Sequence, residues 1–223
     1  MTHFGLLVCC NEPSDEAFDK LLEPYSENNK RYFETVELKA PPKWAVADDG
    51  TVNEAALIES GYIQADGKWY AKYNPKGFYD YYSLDARDDM LCEPERMPDL
   101  PDESNGFYRL RDYDLTIGMT EKEEAKARED WKRFSTEGDG WYSEDYYLSR
   151  YGNEENYIEC RKVLDHAPWC FVSPDGVWHS AGEVGWFATD NADCDSIRKY
   201  CEEWKAFIAS DANPYVSFVD CHI

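Results

Sequence analysis

Both ends of this chain carry side chains capable of chemistry. His3, Cys9 and Cys10 sit in or beside an apolar N-terminal run, and Cys221 and His222 nearly close the C-terminus. If these segments pair as strands, thiols and imidazoles converge. That would permit a cysteine nucleophile with a histidine base, or a Cys/His metal set. Neighbouring residues of a strand face opposite sides, so at most one of Cys9 and Cys10 can join such a site. Free cysteine more often serves as a small buried hydrophobe, and histidines often sit at strand ends. His3, Cys221 and His222 are therefore weak catalytic candidates, conditional on the ends pairing.

Trp178-His179 with Glu183, near a glycine-rich turn, offers a second acid–base set. The same segment reads more simply as a hairpin end packed by Trp178 and Trp186. The sequence has no phosphate-cradling glycine loop, no Gly-x-Ser-x-Gly and no His-x-x-x-His. No Cys-x-x-Cys pair occurs among the 8 cysteines. No metal and no cofactor are expected on these grounds.

A third set is acidic and aromatic. Asp88, Asp89, Glu93 and Glu95 form one group, and Glu144, Asp145, Glu154 and Glu155 another, with Tyr146 and Tyr147 between them. Such charge usually just solubilises a surface. Interleaved tyrosine also makes an interface, because it contributes area at little entropic cost. These ten residues are the partner-binding candidates, and a basic protein surface is the partner they fit.

The whole composition agrees with that sign. Of 223 residues, 46 are acidic and 23 basic, giving a net charge of −23. Proteins that coat nucleic acid or anionic membranes cluster Lys and Arg, so direct binding to either is excluded as an expectation. Charge this high can mean disorder, but 16% aromatic residues indicate a folded chain. Duplex DNA carries one charge per ~1.7 Å, so the net charge equals about 40 Å of duplex. A globule of this length is roughly 45 Å across. Full mimicry of DNA would need most of the charge on one face, whereas a narrower acidic patch needs less.

No run is long and apolar enough to span a membrane, and the N-terminus lacks a basic start and a leader-length apolar stretch. A cytoplasmic location follows as the expectation, with reduced cysteines and no disulfides.

The elements that must position these residues follow from periodicity. Phe4 to Cys10 reads as a buried strand. Ser14 caps a helix over 15–23 whose apolar face is Phe18, Leu21, Leu22 and Tyr25. Asn53 to Ser60 reads as a short helix, and Tyr62 to Tyr73 as a hairpin about Asp66-Gly67. Phe78 to Leu84 reads as a strand. Residues 85–103 hold eight acids and three prolines and read as a long acidic loop. Thr120 and Glu123 make a capping box for a helix over 120–134. Residues 135–160 are acidic with scattered tyrosine. Trp169 to Trp178 reads as a hairpin turning at Pro174-Asp175-Gly176. Asp195 caps a helix over 195–209, and Tyr215 to Val219 is a terminal strand in the same sheet as the first. The expectation is one α+β domain over 1–223, a mainly antiparallel sheet with helices on one face, with 85–160 an acidic helical and loop insertion.

Four segments carry a resemblance. They are His3-Phe4 followed by Leu22-Glu23-Pro24-Tyr25-Ser26-Glu27-Asn28; Asn74-Pro75-Lys76-Gly77-Phe78-Tyr79-Asp80-Tyr81-Tyr82; Asp175-Gly176-Val177-Trp178 with Gly182, Gly185 and Trp186; and Val219-Asp220-Cys221-His222-Ile223. In this order they resemble a family of uncharacterised proteins encoded mainly by bacteriophages and prophages. That family runs His-Phe, then Leu-x-Pro-aromatic-x-Glu-Asn, then Asn-Pro, Asp-Trp-Tyr and Ile-Gly-Gly-Arg-Trp. This chain departs after Tyr82, reading Ser83-Leu84-Asp85-Ala86-Arg87 instead of Gly-Gly-Arg-Trp. The resemblance implies a phage origin and a shared fold, and supplies no reaction. With the charge, it implies an acidic protein in the host bacterial cytoplasm that engages and inhibits a host protein, a defence factor among the targets, in part by imitating nucleic acid. The alternative is a small enzyme or ligand-binding protein with a pocket near the paired ends, and a third reading is a structural phage component.

Overall fold

A computed structural model describes residues 3–83, 107–112, 117–183, 190–210 and 212–223. The chain divides into two compact units, residues 1–22 with 81–223, and residues 23–80. The fold is α+β. No helix among the described residues is long and apolar enough to cross a membrane.

The larger unit is built on β1 (His3–Cys10). Every residue from Phe4 to Cys10 is buried, at both strand parities, so both faces of β1 are covered. Its neighbours are β9 (Tyr215–His222), antiparallel, and β7 (Cys170–Val172), parallel. The two chain ends thus lie side by side at the sheet centre, in register from His3↔His222 to Cys10↔Tyr215. β5 (Tyr81–Ser83) and β6 (Tyr108–Arg109) pair with β9, and β8 (Trp178–Ser180) pairs with β7, all antiparallel. α1 (Asp15–Leu22) follows β1, with Ser14 Oγ accepting from Ala17 N–H.

α3 (Glu121–Glu137), α4 (Glu144–Tyr151), α5 (Glu154–Leu164) and α6 (Cys194–Ala209) pack on the face of β1 that carries Leu7 and Cys9. Trp131, Tyr157, Ile158, Tyr200 and Trp204 meet Phe171 and Val216 there. Phe171 is the hub: Trp204 packs edge-on at 5.2 Å and Phe207 stacks at 5.0 Å. The expected capping box of α3 is present, with Thr120 N–H donating to Glu123 Oε2 at 2.7 Å and Glu123 N–H to Thr120 Oγ1 at 3.3 Å.

Several bounds differ from the sequence reading. α3 runs to Glu137, three residues past its last apolar residue, and stops at Gly138 with φ 71°. α6 is capped by Asp193, whose carboxylate accepts from Ser196 N–H at 2.9 Å; Asp195 lies in the first turn instead. β9 continues to His222 because its backbone is laddered on both sides, although Asp220 and His222 break the apolar pattern. Residues 144–164 form two helices, anchored by buried Tyr147, Tyr151 and Tyr157.

The smaller unit has β2 (Glu34–Glu37), α2 (Glu54–Glu59), β3 (Ile63–Ala65) and β4 (Lys68–Tyr73). Its antiparallel sheet has the order β2-β4-β3. Asp66 (φ 50°) and Gly67 (φ 74°) both take positive φ, which makes the β3–β4 link a primed turn. Ala45, Leu57 and Trp69 are its core. Two of the resembling segments interlock here. Asn74 Nδ2 donates to the carbonyls of Pro24 and Ser26 at 2.8 and 3.0 Å. Phe78 N–H donates to Tyr25 O, Glu27 N–H to Tyr79 O, and the Tyr25 and Phe78 rings stack at 5.9 Å. A Cβ on Gly77 would fall 2.7 Å from Glu27 Cα, so only glycine fits this crossing.

Candidate functional site

Strand pairing builds the first candidate site. Residues opposite each other in an antiparallel ladder share a face, so His3, His222 and Tyr81 stand in a row across β1, β9 and β5. The imidazoles of His3 and His222 are 5.0 Å apart, edge to face, and Tyr81 stacks on His222 at 4.4 Å. His3 Nδ1 lies 3.0 Å from Asp220 Oδ2. A carboxylate at Nδ1 fixes the ring and its tautomer, leaving Nε2 for proton transfer. Asp220 Oδ1 is buried without a hydrogen-bond partner among the described residues.

Cys221 does not join this row. It pairs with Phe4 and Tyr82 on the opposite face, is wholly buried, and burial pushes its thiol far up. Cys9 is on the His3 face but six residues along β1, opposite Val216. Cys10 is on the other face. The seven described cysteines form no disulfide with one another. No group of three or more metal-ligating side chains occurs among the described residues.

The second candidate acquires different partners. His179 Nδ1 lies 2.9 Å from Glu203 Oε2 on α6, and Nε2 lies 3.2 Å from Ser173 Oγ. Glu183 instead pairs with Asn191, at 2.8 Å to its N–H and 3.3 Å to its carboxylate. A serine, a histidine and an acid in sequence resemble a nucleophile relay. The hydroxyl proton decides otherwise. Ser173 Oγ is 2.5 Å from Asp175 Oδ1, and an ionised carboxylate only accepts. That bond from Ser173, first among the causes, holds Asp175 below the usual carboxylate range. Ser173 thus gives its proton to Asp175, not to His179, and it is buried. The set clips the β7–β8 hairpin to α6, with His179 stacked on Phe171 at 4.4 Å. Burial opposes ionisation of Glu203, but hydrogen bonds from His179 and Lys199 outweigh it and keep the carboxyl low.

The third candidate contains Trp141, the most exposed large hydrophobic side chain among the described residues. Gly138 ends α3 at φ 71°, where a Cβ would sit 2.1 Å from Tyr142 O. Asp139 follows, and its carboxylate organises the loop. Oδ1 accepts from the N–H groups of Trp141 and Tyr142, both at 2.8 Å, and Oδ2 accepts from Tyr147 Oη at 2.5 Å. The Tyr147 hydroxyl first, and the Tyr142 amide next, hold Asp139 below the usual carboxylate range. Rings continue outward from the core: Phe134 stacks on Tyr147 at 4.8 Å, Tyr147 meets Tyr146 edge-on at 5.4 Å, and Tyr146 stacks on Tyr142 at 4.0 Å. Arg150, held in a buried ion pair with Asp190, lies over Tyr146 at 4.9 Å. On this frame Trp141 is 92% exposed, Tyr142 46% and Leu148 42%.

The partner-binding candidates distribute around it unevenly. Glu144 and Asp145 are exposed in the first turn of α4, beside Trp141. Tyr146 is half-buried, and Tyr147 is buried as the support of the loop. Glu154 is bound to Arg128 at 2.9 Å, and Glu155 is exposed at the start of α5. Asp88, Asp89, Glu93 and Glu95 lie outside the described residues. Sequence reasoning missed Trp141, Tyr142, Asp139 and Leu148. One signal was available: a tryptophan in a Gly-Asp-Gly-Trp turn, with polar residues at helical spacing, has nothing to pack against. Ser173 and Glu203 gave none, being thirty residues apart.

Compared with protein-family models, curated proteins and solved structures, the chain finds no match.

Proposed function

We propose that this chain is an acidic binding protein, phage-encoded, that docks the Trp141–Tyr142–Leu148 surface with Glu144 and Asp145 onto a basic surface of a host protein and inhibits it. The exposure of Trp141 carries this reading. An exposed aromatic is common enough singly, but here Asp139 spends three hydrogen bonds and Gly138 a left-handed backbone to hold one outward. A buried aromatic anchor ringed by charge is the usual energetic centre of an interface. The net charge of −23 supplies the complementary field. The resemblance to phage proteins supplies the setting, the host bacterial cytoplasm, and makes a defence factor the favoured target. Partial nucleic-acid mimicry fits a target whose basic groove serves DNA or RNA.

The test is affinity capture from a host bacterium with the intact chain and with Trp141→Ala. A basic protein retained by the first and lost from the second supports the proposal. Equal retention by both refutes it.

One observation favours a second reading, an enzyme or ligand-binding protein acting at the chain ends. It is the His3–Asp220 pair with His222 alongside. Loss of the biological effect in His3→Ala with binding intact would select it.

A further inference from the structure

A stack of side chains runs along α4, past its N-terminal end, and finishes in the open. Arg150, Tyr146 and Tyr142 recur every four residues, the spacing that aligns side chains along one side of a helix. Their contacts follow that order. Asp190 holds Arg150 in a buried ion pair, and the Arg150 guanidinium lies 4.9 Å from the centre of the Tyr146 ring. Tyr146 in turn stacks on Tyr142 at 4.0 Å, with 13° between the planes. Arg150 is 4% exposed and Tyr142 46%. One face of the Tyr142 ring is spent on Tyr146, so its exposure belongs to its edges and its other face. The stack begins on a cation that is buried and neutralised, and ends on an aromatic face turned to solvent.

That ring is held before any partner arrives. Tyr142 N–H donates to Asp139 Oδ1 at 2.8 Å, and Tyr142 O accepts from Asp139 N–H at 3.1 Å. A side chain ordered in advance loses little entropy on binding. The chain also shows what its rings receive. Every cation–π contact among the described residues is made by arginine, with Arg109 over Tyr215 at 3.5 Å and Arg161 over Tyr157 at 5.7 Å beside Arg150 over Tyr146. A guanidinium is planar and weakly hydrated, so it lies flat on a ring while its N–H groups remain free in its own plane. An ammonium is a strongly hydrated point charge. Asp139, Glu144 and Asp145 stand within three residues of Tyr142 in sequence. Their charge offsets the positive end of the α4 dipole, which by itself disfavours a cation there.

We propose that the open face of Tyr142 seats an arginine side chain of the basic partner, the incoming guanidinium lying flat on the ring as Arg150 lies on Tyr146. The inference rests on the docking reading above and refines it: the partner presents arginine, not lysine, at this position.

Three blocked tripeptides, titrated into the intact chain at low salt and followed by NMR, test it. They are tri-arginine, tri-lysine and tri-citrulline, the last uncharged but close to arginine in shape. Tri-arginine should bind about two- to fivefold tighter than tri-lysine, the range for an exposed guanidinium on a ring, with its side-chain methylene signals moved upfield. Tri-citrulline should bind weakest. Tyr142→Leu should remove most of the preference and the upfield shift. Tyr142→Phe keeps the ring and should retain both. The inference is overturned if tri-lysine or tri-citrulline binds the intact chain as tightly as tri-arginine, if Tyr142→Leu leaves the preference intact, or if Tyr142→Phe loses it. Its failure is separable from that of the docking reading. A captured partner that Trp141→Ala loses and Tyr142→Leu keeps at full affinity refutes the arginine seat alone. A preference for tri-arginine that depends on Tyr142, with no basic partner captured, supports the seat and counts against the docking reading.

Discussion

Between Gly138 and Leu148, Trp141 and Tyr142 stand in solvent beside Glu144 and Asp145. Between Leu38 and Tyr73, Tyr62 and Tyr73 flank a cleft beside Lys72. Both regions offer aromatic surface, but acids adjoin the first whereas none lines the second. The difference extends to the units that hold them. Residues 23–80 contain ten acids and seven bases, whereas the rest of the chain contains 36 acids and 16 bases. The aromatic rings supply similar apolar area in both places, so charge and shape decide what each can receive. A protruding tryptophan among acids suits a basic macromolecular surface.

The two regions should therefore respond separately. The largest effect is expected from Trp141→Ala, which should weaken partner binding by about 2–4 kcal/mol, roughly 30- to 1,000-fold, as hot-spot truncations do. Next comes Gly138→Ala. The new methyl would collide with Tyr142 O at a positive φ, so the loop must distort. Thermal unfolding should report a loss of about 1–3 kcal/mol, with partner binding weakened as well. A neutral outcome for both would show that the loop geometry is not needed to present Trp141.

Reversing Glu144 and Asp145 to Lys should cost less, on the order of tenfold, and chiefly through slower association. That loss should shrink as salt rises, because the Debye length falls from about 10 Å at 0.1 M to about 3 Å at 1 M. Stopped-flow mixing at two salt concentrations separates this from a change in dissociation. The smallest effect concerns pH. The Asp139 carboxyl is depressed in the fold by its bonds from Tyr147 and Tyr142. A depressed carboxyl contributes stability above its unfolded value, near 3.9, and loses it as pH falls through the folded value. The loop should therefore loosen below about pH 4, seen as faster amide exchange at Trp141 and Tyr142, and Asp139→Asn should abolish that dependence.

The sequence revealed what periodicity controls. Phe4 to Cys10 is an unbroken apolar run, so the central strand was legible, and Thr120 with Glu123 announced the start of α3. α4 was hidden because Tyr147, Arg150 and Tyr151 form its buried face, and polar groups blur the apolar stripe; α5 buries Tyr157, Ile158, Cys160 and Val163 among acids that mask them. The row of His3, His222 and Tyr81 required strand register, which pairs His222 with residues far away in sequence on both sides. The separation of Cys221 from it followed from the same register and could have been read from the pleat once the pairing of the ends was assumed. The Trp141 surface depends on Asp139 capturing two amides and a phenol, an arrangement that no apolar pattern encodes.

The docking claim meets its most direct test in one titration. Once a captured partner is in hand, its affinity for the intact chain, Trp141→Ala and His222→Ala should be measured by calorimetry at low and high salt. The account predicts a large loss with Trp141→Ala, a loss of affinity at high salt for the intact chain, and little change with His222→Ala. Affinity indifferent to salt and to Trp141, yet abolished by His222→Ala, would contradict it and move the function to the paired chain ends.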